Sequence, residues 1–210
     1  MISDSEKYLV GLLRDGKDEG FERLIEEYQG RIYSICYRMM NDEIDAQDLV
    51  QETFIKVYQK IDKFKFESSF KTWVYRIAIN ICKNRLVQLK AKTPICSCSI
   101  EDMEGDNWES NILNSNIMIK SNGFNEPIEN LERQEQRDQI AKLLSCLDDD
   151  LKSILILREL DEHTYSEIAE IQGIPNGTVK SRLHKARLMF ACLYKQDQEK
   201  QDTIGIELEK

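Results

Sequence analysis

Residues 164–190 read TYSEIAEIQGIPNGTVKSRLHKARLMF, and this run leaves the fold little room. Thr164, with Glu167 three residues on, is a capping box that opens a helix whose Ile168, Ala169 and Ile171 point inward. Gly173 ends that helix, because glycine takes a positive φ at little steric cost. Pro175 forbids continuation, and Asn176 is the expected N-cap of a second helix. The second helix buries Val179, Leu183, Ala186 and Phe190 and shows Lys180, Ser181, His184, Lys185 and Arg187, with Thr178 and Arg182 on its flanks. A short helix, a glycine turn and a basic second helix form a helix-turn-helix that lays its second helix in the major groove of duplex DNA. Upstream, residues 129–147 and 151–160 supply helices, with Leu151, Ile154, Leu155, Leu157 and Leu160 completing a small core.

The first ninety residues are also helical in pattern. The chain has only 9 glycines and 3 prolines, which argues against hairpin-rich sheets and for an all-α fold. A short helix is expected over 4–15. Residues 18–40 give an amphipathic helix through Phe21, Leu24, Ile25, Tyr28, Ile32, Ile35, Cys36 and Met39. Residues 45–61 place Ala46, Leu49, Val50, Phe54, Val57, Tyr58 and Ile61 on one side and Asp48, Gln51, Glu52, Ile55 and Gln59 on the other. An isoleucine centred in a polar face suits a protein-binding surface with an apolar centre and a polar rim. Over 70–90 the core stripe is Trp73, Val74, Ile77, Ala78, Ile81, Cys82, Leu86 and Leu89, and the opposite face carries Thr72, Arg76, Asn80, Lys83 and Lys90. Basic groups one turn apart can follow a phosphate backbone, and an asparagine amide can hold a base edge. The preceding loop, with Phe64, Lys65, Phe66, Ser68, Ser69, Phe70 and then Lys71, mixes aromatics that can stack on unpaired bases with groups that can hydrogen-bond them. At least one of the three phenylalanines is expected only to pack in the core.

Charge is segregated beneath a formal net charge of −9. Residues 68–100 hold six basic side chains and no acid, and residues 171–196 hold five and no acid. Residues 101–138 hold ten acids against three basic side chains. Two basic islands on an acidic body suggest two polyanion-binding surfaces. Residues 93–126 read as a connector, polar and acidic, yet with Trp108, Ile112, Leu113, Ile117, Met118 and Ile119 along it. Among the six cysteines Cys96 and Cys98 are the one close pair, and His163 and His184 lie far from them, so neither a zinc site nor a disulfide framework is expected. No apolar run approaches the ~20 residues that cross a bilayer. Asp4 and Glu6 break any signal pattern at the N-terminus, so the expectation is a cytoplasmic protein with no membrane insertion. Clustered carboxylates such as Glu26-Glu27 and Asp148-Asp149-Asp150 lack ligand spacing, so no catalytic residue and no cofactor are expected.

Three runs occur in one order: Asp45-Ala-Gln-Asp-Leu-Val-Gln-Glu-Thr-Phe, Phe70-Lys-Thr-Trp-Val-Tyr-Arg-Ile-Ala-Ile-Asn, and Tyr165-Ser-Glu-Ile-Ala-Glu followed by Gly173-Ile-Pro-Asn-Gly-Thr-Val-Lys-Ser-Arg-Leu-His-Lys-Ala-Arg. In these the chain resembles the extracytoplasmic-function (ECF) sigma factors, the small two-domain members of the bacterial sigma-70 family. The resemblance implies a region 2-like domain over 1–92, a linker over 93–128, a region 4-like helix-turn-helix domain over 129–195 and a tail over 196–210. It implies a promoter-specificity subunit, not an enzyme, whose partners are the bacterial RNA polymerase core, promoter DNA and an anti-sigma factor. Asp48, Gln51, Glu52, Ile55 and Gln59 would grip the polymerase clamp. Phe64, Lys65, Phe66, Ser68, Ser69, Lys71 and Asn80 would open the minus-10 element and capture a flipped base, with Arg76 and Lys83 on the strand's backbone. Asn176, Thr178, Lys180, Ser181, Arg182, His184, Lys185 and Arg187 would read the minus-35 element. Asp148, Gln172 and Asn84 depart from the family's usual Pro, Leu and Asp. The residues alone leave one other reading open, a helix-turn-helix regulator that binds duplex DNA as a dimer without polymerase.

Overall fold

The computed structural model describes residues 3–90, 130–159 and 161–208, and all the regular structure among them is helical. α1 (Asp4–Arg14) opens on a reciprocal cap between Ser3 and Glu6 and buries Leu9, Val10, Leu12 and Leu13. Gly16 turns the chain at φ 66° into α2 (Asp18–Met40). Gly20 lets α1 and α2 close up, since a Cβ there would stand 2.7 Å from Cβ of Leu12. α2 buries Leu24, Tyr28, Ile32, Ile35, Cys36 and Met39, and it stops at Asn41, left-handed at φ 55°, whose N–H donates to the Tyr37 carbonyl. Asp42 caps α3 (Glu43–Lys60) by accepting from the Asp45 N–H at 2.8 Å. One 3-10 turn (Ile61–Lys63) leads to the loop before α4 (Phe70–Lys90).

The second half holds α5 (Asn130–Ser145), α6 (Asp149–Glu159), α7 (Tyr165–Gln172) and α8 (Asn176–Leu208). The capping box of Thr164 and Glu167 and the left-handed Gly173, at φ 67°, form as the sequence requires. Asn176 is not a cap: it is the first helical residue, and the Pro175 carbonyl accepts the first helical bond, from the Val179 N–H. α8 also runs on through Leu208, past the residue where a tail was expected to begin.

The two halves pack against each other. α5 and α6 lie on α2, and α7 lies on α4. α6 explains why: from Leu151 to Leu157 no residue is more than 6% exposed. A helix apolar on every side must be covered on every side. Leu151, Ile154 and Leu155 belong to the expected core stripe, while Lys152 and Ile156, four apart, share a second face. The Lys152 ammonium donates to the Met39 carbonyl at the end of α2, at 2.6 Å, so this second face meets the first half. The connector with its apolar residues, together with Cys96 and Cys98, lies outside the described residues.

Candidate nucleic-acid and protein-docking surfaces

On α3 the expected docking residues share one open face: Asp48, Gln51, Glu52, Ile55 and Gln59 are all exposed, Ile55 at 53%. Thr53 lies beneath them and ties its hydroxyl to the Leu49 carbonyl at 2.7 Å. Tyr58 differs from expectation. It sits at the edge of the core stripe and is 54% exposed, with its ring edge-on to Phe21 at 5.8 Å. The two rings border a groove of about 450 Å³, also lined by Leu13 and Ile25 and by the charged Lys17, Asp18 and Glu22.

The loop before α4 is half core and half surface. Phe64 and Phe70 are buried, at 3% and 0% exposure, so neither can stack on a base without rearrangement. This corrects the assignment of Phe64 to the nucleic-acid site. Its ring meets Phe66, Phe70 and Trp73 at 4.9–5.6 Å, an aromatic cluster that holds the loop to α4. Phe66 is partly exposed, left-handed at φ 58°, and lies under the Arg14 guanidinium at 5.4 Å. Lys65 is exposed and Ser68 half-buried. Ser69 is a helix cap: its Oγ accepts from the Thr72 N–H at 3.0 Å and meets Thr72 Oγ1 at 2.8 Å. That pairing turns Thr72 inward, to 1% exposure, although its position on the wheel lies opposite the core stripe. The Lys71 ammonium lies over the Tyr75 ring at 5.4 Å.

The expected basic face of α4 is covered by the second half of the chain. Arg76 donates from Nε and Nη2 to the Glu170 carbonyl in α7, at 2.9 and 2.5 Å. The Lys83 ammonium donates to Asp150 Oδ1 and Gln172 Oε1, both at 2.6 Å. Lys90 reaches Asp149 Oδ1 at 2.8 Å. Between these contacts Tyr75 and Ile79 are buried, at 0% and 1%, and the Tyr75 ring meets His163 edge-on at 4.7 Å. Asn80 alone of the expected strand-holding groups on α4 is fully open. The sequence did carry a signal: Tyr75 and Ile79 are apolar residues one turn apart among the basic ones.

On α8 the arrangement is reversed. Asn176, Lys180, Ser181, His184 and Lys185 are exposed along one side, with Thr178 half-buried beside them. Arg182 and Arg187 are tied back to their own half, Arg182 to Asp150 Oδ2 at 2.9 Å and Arg187 by two bonds to Glu159 Oε1 at 3.0 and 2.6 Å.

Burial and pairing shift several groups. The Lys83 ammonium holds the Asp150 carboxyl below its usual range, with Arg182 adding to the effect. Burial lowers the Lys152 ammonium to about 8. Cys36 and Cys82 face each other at 3.6 Å inside the first half, and contact with Cys82 together with burial raises the Cys36 thiol. Such a thiol ionises reluctantly and reacts slowly. Among the described residues no group of His, Cys, Asp and Glu could hold a metal ion, and no helix is long and apolar enough to cross a membrane.

Two family models match the two halves, Sigma-70 region 2 over residues 24–92 and Sigma-70, region 4 over residues 137–189. The ECF RNA polymerase sigma-E factor of Escherichia coli K12 is 38% identical over 184 residues, which are 87% of this chain and 91% of that protein. The RNA polymerase sigma-H factor of Pseudomonas aeruginosa is 34% identical over 191 residues, covering 89% of this chain and 92% of that one. In structure the chain is similar to CnrH bound to the cytosolic domain of CnrY, at a TM-score of 0.64 and 19% identity over 92% of this chain and 99% of the other. It is also similar to the sigma factor RpoE of Bartonella quintana in complex with the anti-sigma factor NepR, at 0.57 and 22% over 83% and 96%. Helical halves of region 2 and region 4 type on one chain define the sigma-70 class. Within it, the chain belongs to the ECF sigma factors, RNA polymerase subunits that direct transcription initiation.

Proposed function

We propose that three surfaces divide the work of this sigma factor. The face of Asp48, Gln51, Glu52, Ile55 and Gln59 docks on core polymerase, with Ile55 as its apolar centre. The segment formed by Lys65, Phe66, Ser68, Lys71, Arg76, Asn80 and Lys83 takes the melted minus-10 strand. The side of α8 with Asn176, Thr178, Lys180, Ser181, His184 and Lys185 reads the minus-35 duplex. The chain divides into a region 2-like unit over 1–92, a connector over 93–128 and a region 4-like unit from 129. It acts in the cytoplasm, carries out no catalysis of its own, and is held in check by an anti-sigma factor, as the solved neighbour with NepR is a complex of that kind.

The observation that carries this reading is the open face of α3, where five groups of docking chemistry are exposed together and an isoleucine stands in their midst. Strand capture costs a few kcal/mol per unstacked base and is repaid by stacking and base-edge bonds. Two weak DNA surfaces gain from being held on one polymerase, because the second contact forms at high effective concentration. The test is transcription by core polymerase on a promoter library with and without the chain. Start sites that depend on the chain and share two spaced elements are the expected result, and Ile55→Glu is expected to abolish them. No chain-dependent start site would overturn the proposal.

A further inference from the structure

The loop that carries the proposed strand contacts is held from outside itself, by α1. At its start, Arg14, the last residue of α1, donates from Nη2 to the Phe64 carbonyl. The same guanidinium lies over the Phe66 ring, 5.4 Å from its centroid, and the Phe64 ring packs against Phe66 at 4.9 Å. At the end of the loop, Glu6 Oε1 accepts from the Phe70 N–H at 3.2 Å, one of the donors left unpaired by the first turn of α4. The other oxygen of Glu6 accepts from the Ser3 N–H at 3.2 Å, so α1 fixes this carboxylate itself. Arg14 is therefore tied to the loop at one end of α1 while Glu6 ties the loop at the other, and Arg14 is still exposed.

Phe66 stands at φ 58°. For a bulky side chain that backbone is strained, and glycine would relieve it. The core does not account for the strain, because Phe64, Phe70 and Trp73 meet one another at 5.2–5.9 Å without Phe66, whose own ring is only half-buried. What the Phe66 ring does support is the Arg14 guanidinium. An arginine seated on an aromatic ring and bonded at one N–H to a carbonyl is ordered in advance, and it has further N–H donors beyond that bond. Guanidinium planes stack on unpaired bases as aromatic rings do.

We infer that Arg14 is a further strand-binding residue, whose guanidinium, seated on the strained Phe66, gives an unpaired base of the melted strand a surface to stack on. This rests on the proposed role of the 64–71 loop in strand capture. Phe66 is then the positioning residue beneath Arg14, and Glu6 braces the far end of the same loop.

The test uses holoenzyme made with the full chain and a mixed-sequence duplex with a short unpaired stretch that carries a fluorescent adenine analogue. Arg14→Gln is expected to weaken binding to the unpaired stretch about tenfold and to lose the quenching that stacking produces. Arg14→Lys keeps the charge and is expected to lose nearly as much, since an ammonium has no plane to stack. Lys17→Gln removes the same charge nearby and is expected to change neither quantity. Phe66→Gly separates support from structure: the urea midpoint should hold or rise as the strain is relieved, while binding falls as in Arg14→Gln. Arg14→Gln with Phe66→Gly should be no weaker than either alone, because the two act as one unit. Full binding by Arg14→Lys, an equal loss in Lys17→Gln, a lowered midpoint in Phe66→Gly or additive losses in the pair would overturn the inference. Asn80→Ala and chain-dependent start sites read the strand-capture and sigma-factor roles separately, so a loss at Asn80 without one at Arg14 sinks the inference alone.

Discussion

On α8 the outward positions Lys180, Ser181, His184 and Lys185 are exposed, whereas on α4 Arg76, Lys83 and Lys90 each meet an oxygen of the other half of the chain. The two helices carry similar basic residues at similar spacing, so charge does not explain the difference. What separates them is the apolar content of the basic face. On α8 the one large apolar residue at that spacing is Leu188, half-buried at the end of the face, and the apolar positions Val179, Leu183, Ala186 and Phe190 all turn into the core. On α4 it includes Tyr75 and Ile79, which need a cover, and the second face of α6 and α7 supplies one. A basic face with two bulky apolar residues in its midst recruits an acidic, apolar neighbour from its own chain, and one with a single half-buried leucine at its end stays available.

The largest expected effect tests whether the cover is structural. Ile79→Ala and Ile156→Ala should each cost about 2–4 kcal/mol, read from the urea midpoint, because each opens a cavity among fully buried side chains. Lys180→Ala and Lys185→Ala should stay within about 0.5 kcal/mol of the unaltered chain. Equal costs on the two faces would break the comparison. The next effect is on binding. Lys180→Gln with Lys185→Gln should lower the salt slope of holoenzyme binding to duplex promoter by about two, a loss of roughly tenfold between 200 and 50 mM salt, with stability unchanged. Arg76→Gln with Lys83→Gln should affect binding to the melted strand by a similar factor, but should also loosen the closed chain.

A smaller effect comes from Lys152. Its ammonium is lowered from 10.5 to about 8 by burial between the halves. Above pH 8 the unfolded chain holds more protons at this site than the folded one, so stability rises with pH. From about pH 8 upward the buried Cys36 thiol works the other way, since only the unfolded chain ionises it readily. Both chains share that thiol, so the difference from Lys152→Met isolates the lysine: between pH 8 and 9 the unaltered chain should gain about 1 kcal/mol relative to Lys152→Met.

Much of this arrangement was legible in the residues. Capping at Thr164, the stop at Gly173 and the apolar stripes of α2, α3 and α8 are local matters, set by side chains within one or two turns. The open face around Ile55 could be read from helical spacing alone. Phe64 could not be placed, because its burial is decided by Trp73 and Phe70 across the turn. Nor could the contact between Lys83 and Asp150, which are separated by 67 residues in the chain. Its one local trace is that α6 is apolar on all sides, while a helix of a small lone domain would leave a polar side. The role of Ser69 was hidden for a different reason: a serine before a helix suits a cap and a base contact equally well until the Thr72 N–H is seen to take it.

Arg187 supplies the smallest and most discriminating test of the comparison. It stands with Lys185 on the basic end of α8, yet both of its described bonds go to one oxygen of Glu159, and both side chains are about a third exposed. An ion pair so placed holds α8 to α6 while contributing at most about 1 kcal/mol, since solvent screens it. If its task is to align the helix, Arg187→Gln and Glu159→Gln should each lower stability by that amount, and neither should change the salt slope on duplex DNA. If instead Glu159 merely parks a DNA-contacting arginine, Glu159→Gln should release it and tighten duplex binding severalfold, while Arg187→Gln weakens binding and removes about one unit of slope. The first outcome is expected, because both described bonds of Arg187 hold it to Glu159, while Lys180, Ser181, His184 and Lys185 stay exposed beside it. The second would mean that α8, like α4, keeps part of its nucleic-acid chemistry covered by its own acids, and the contrast between the two helices would become one of degree.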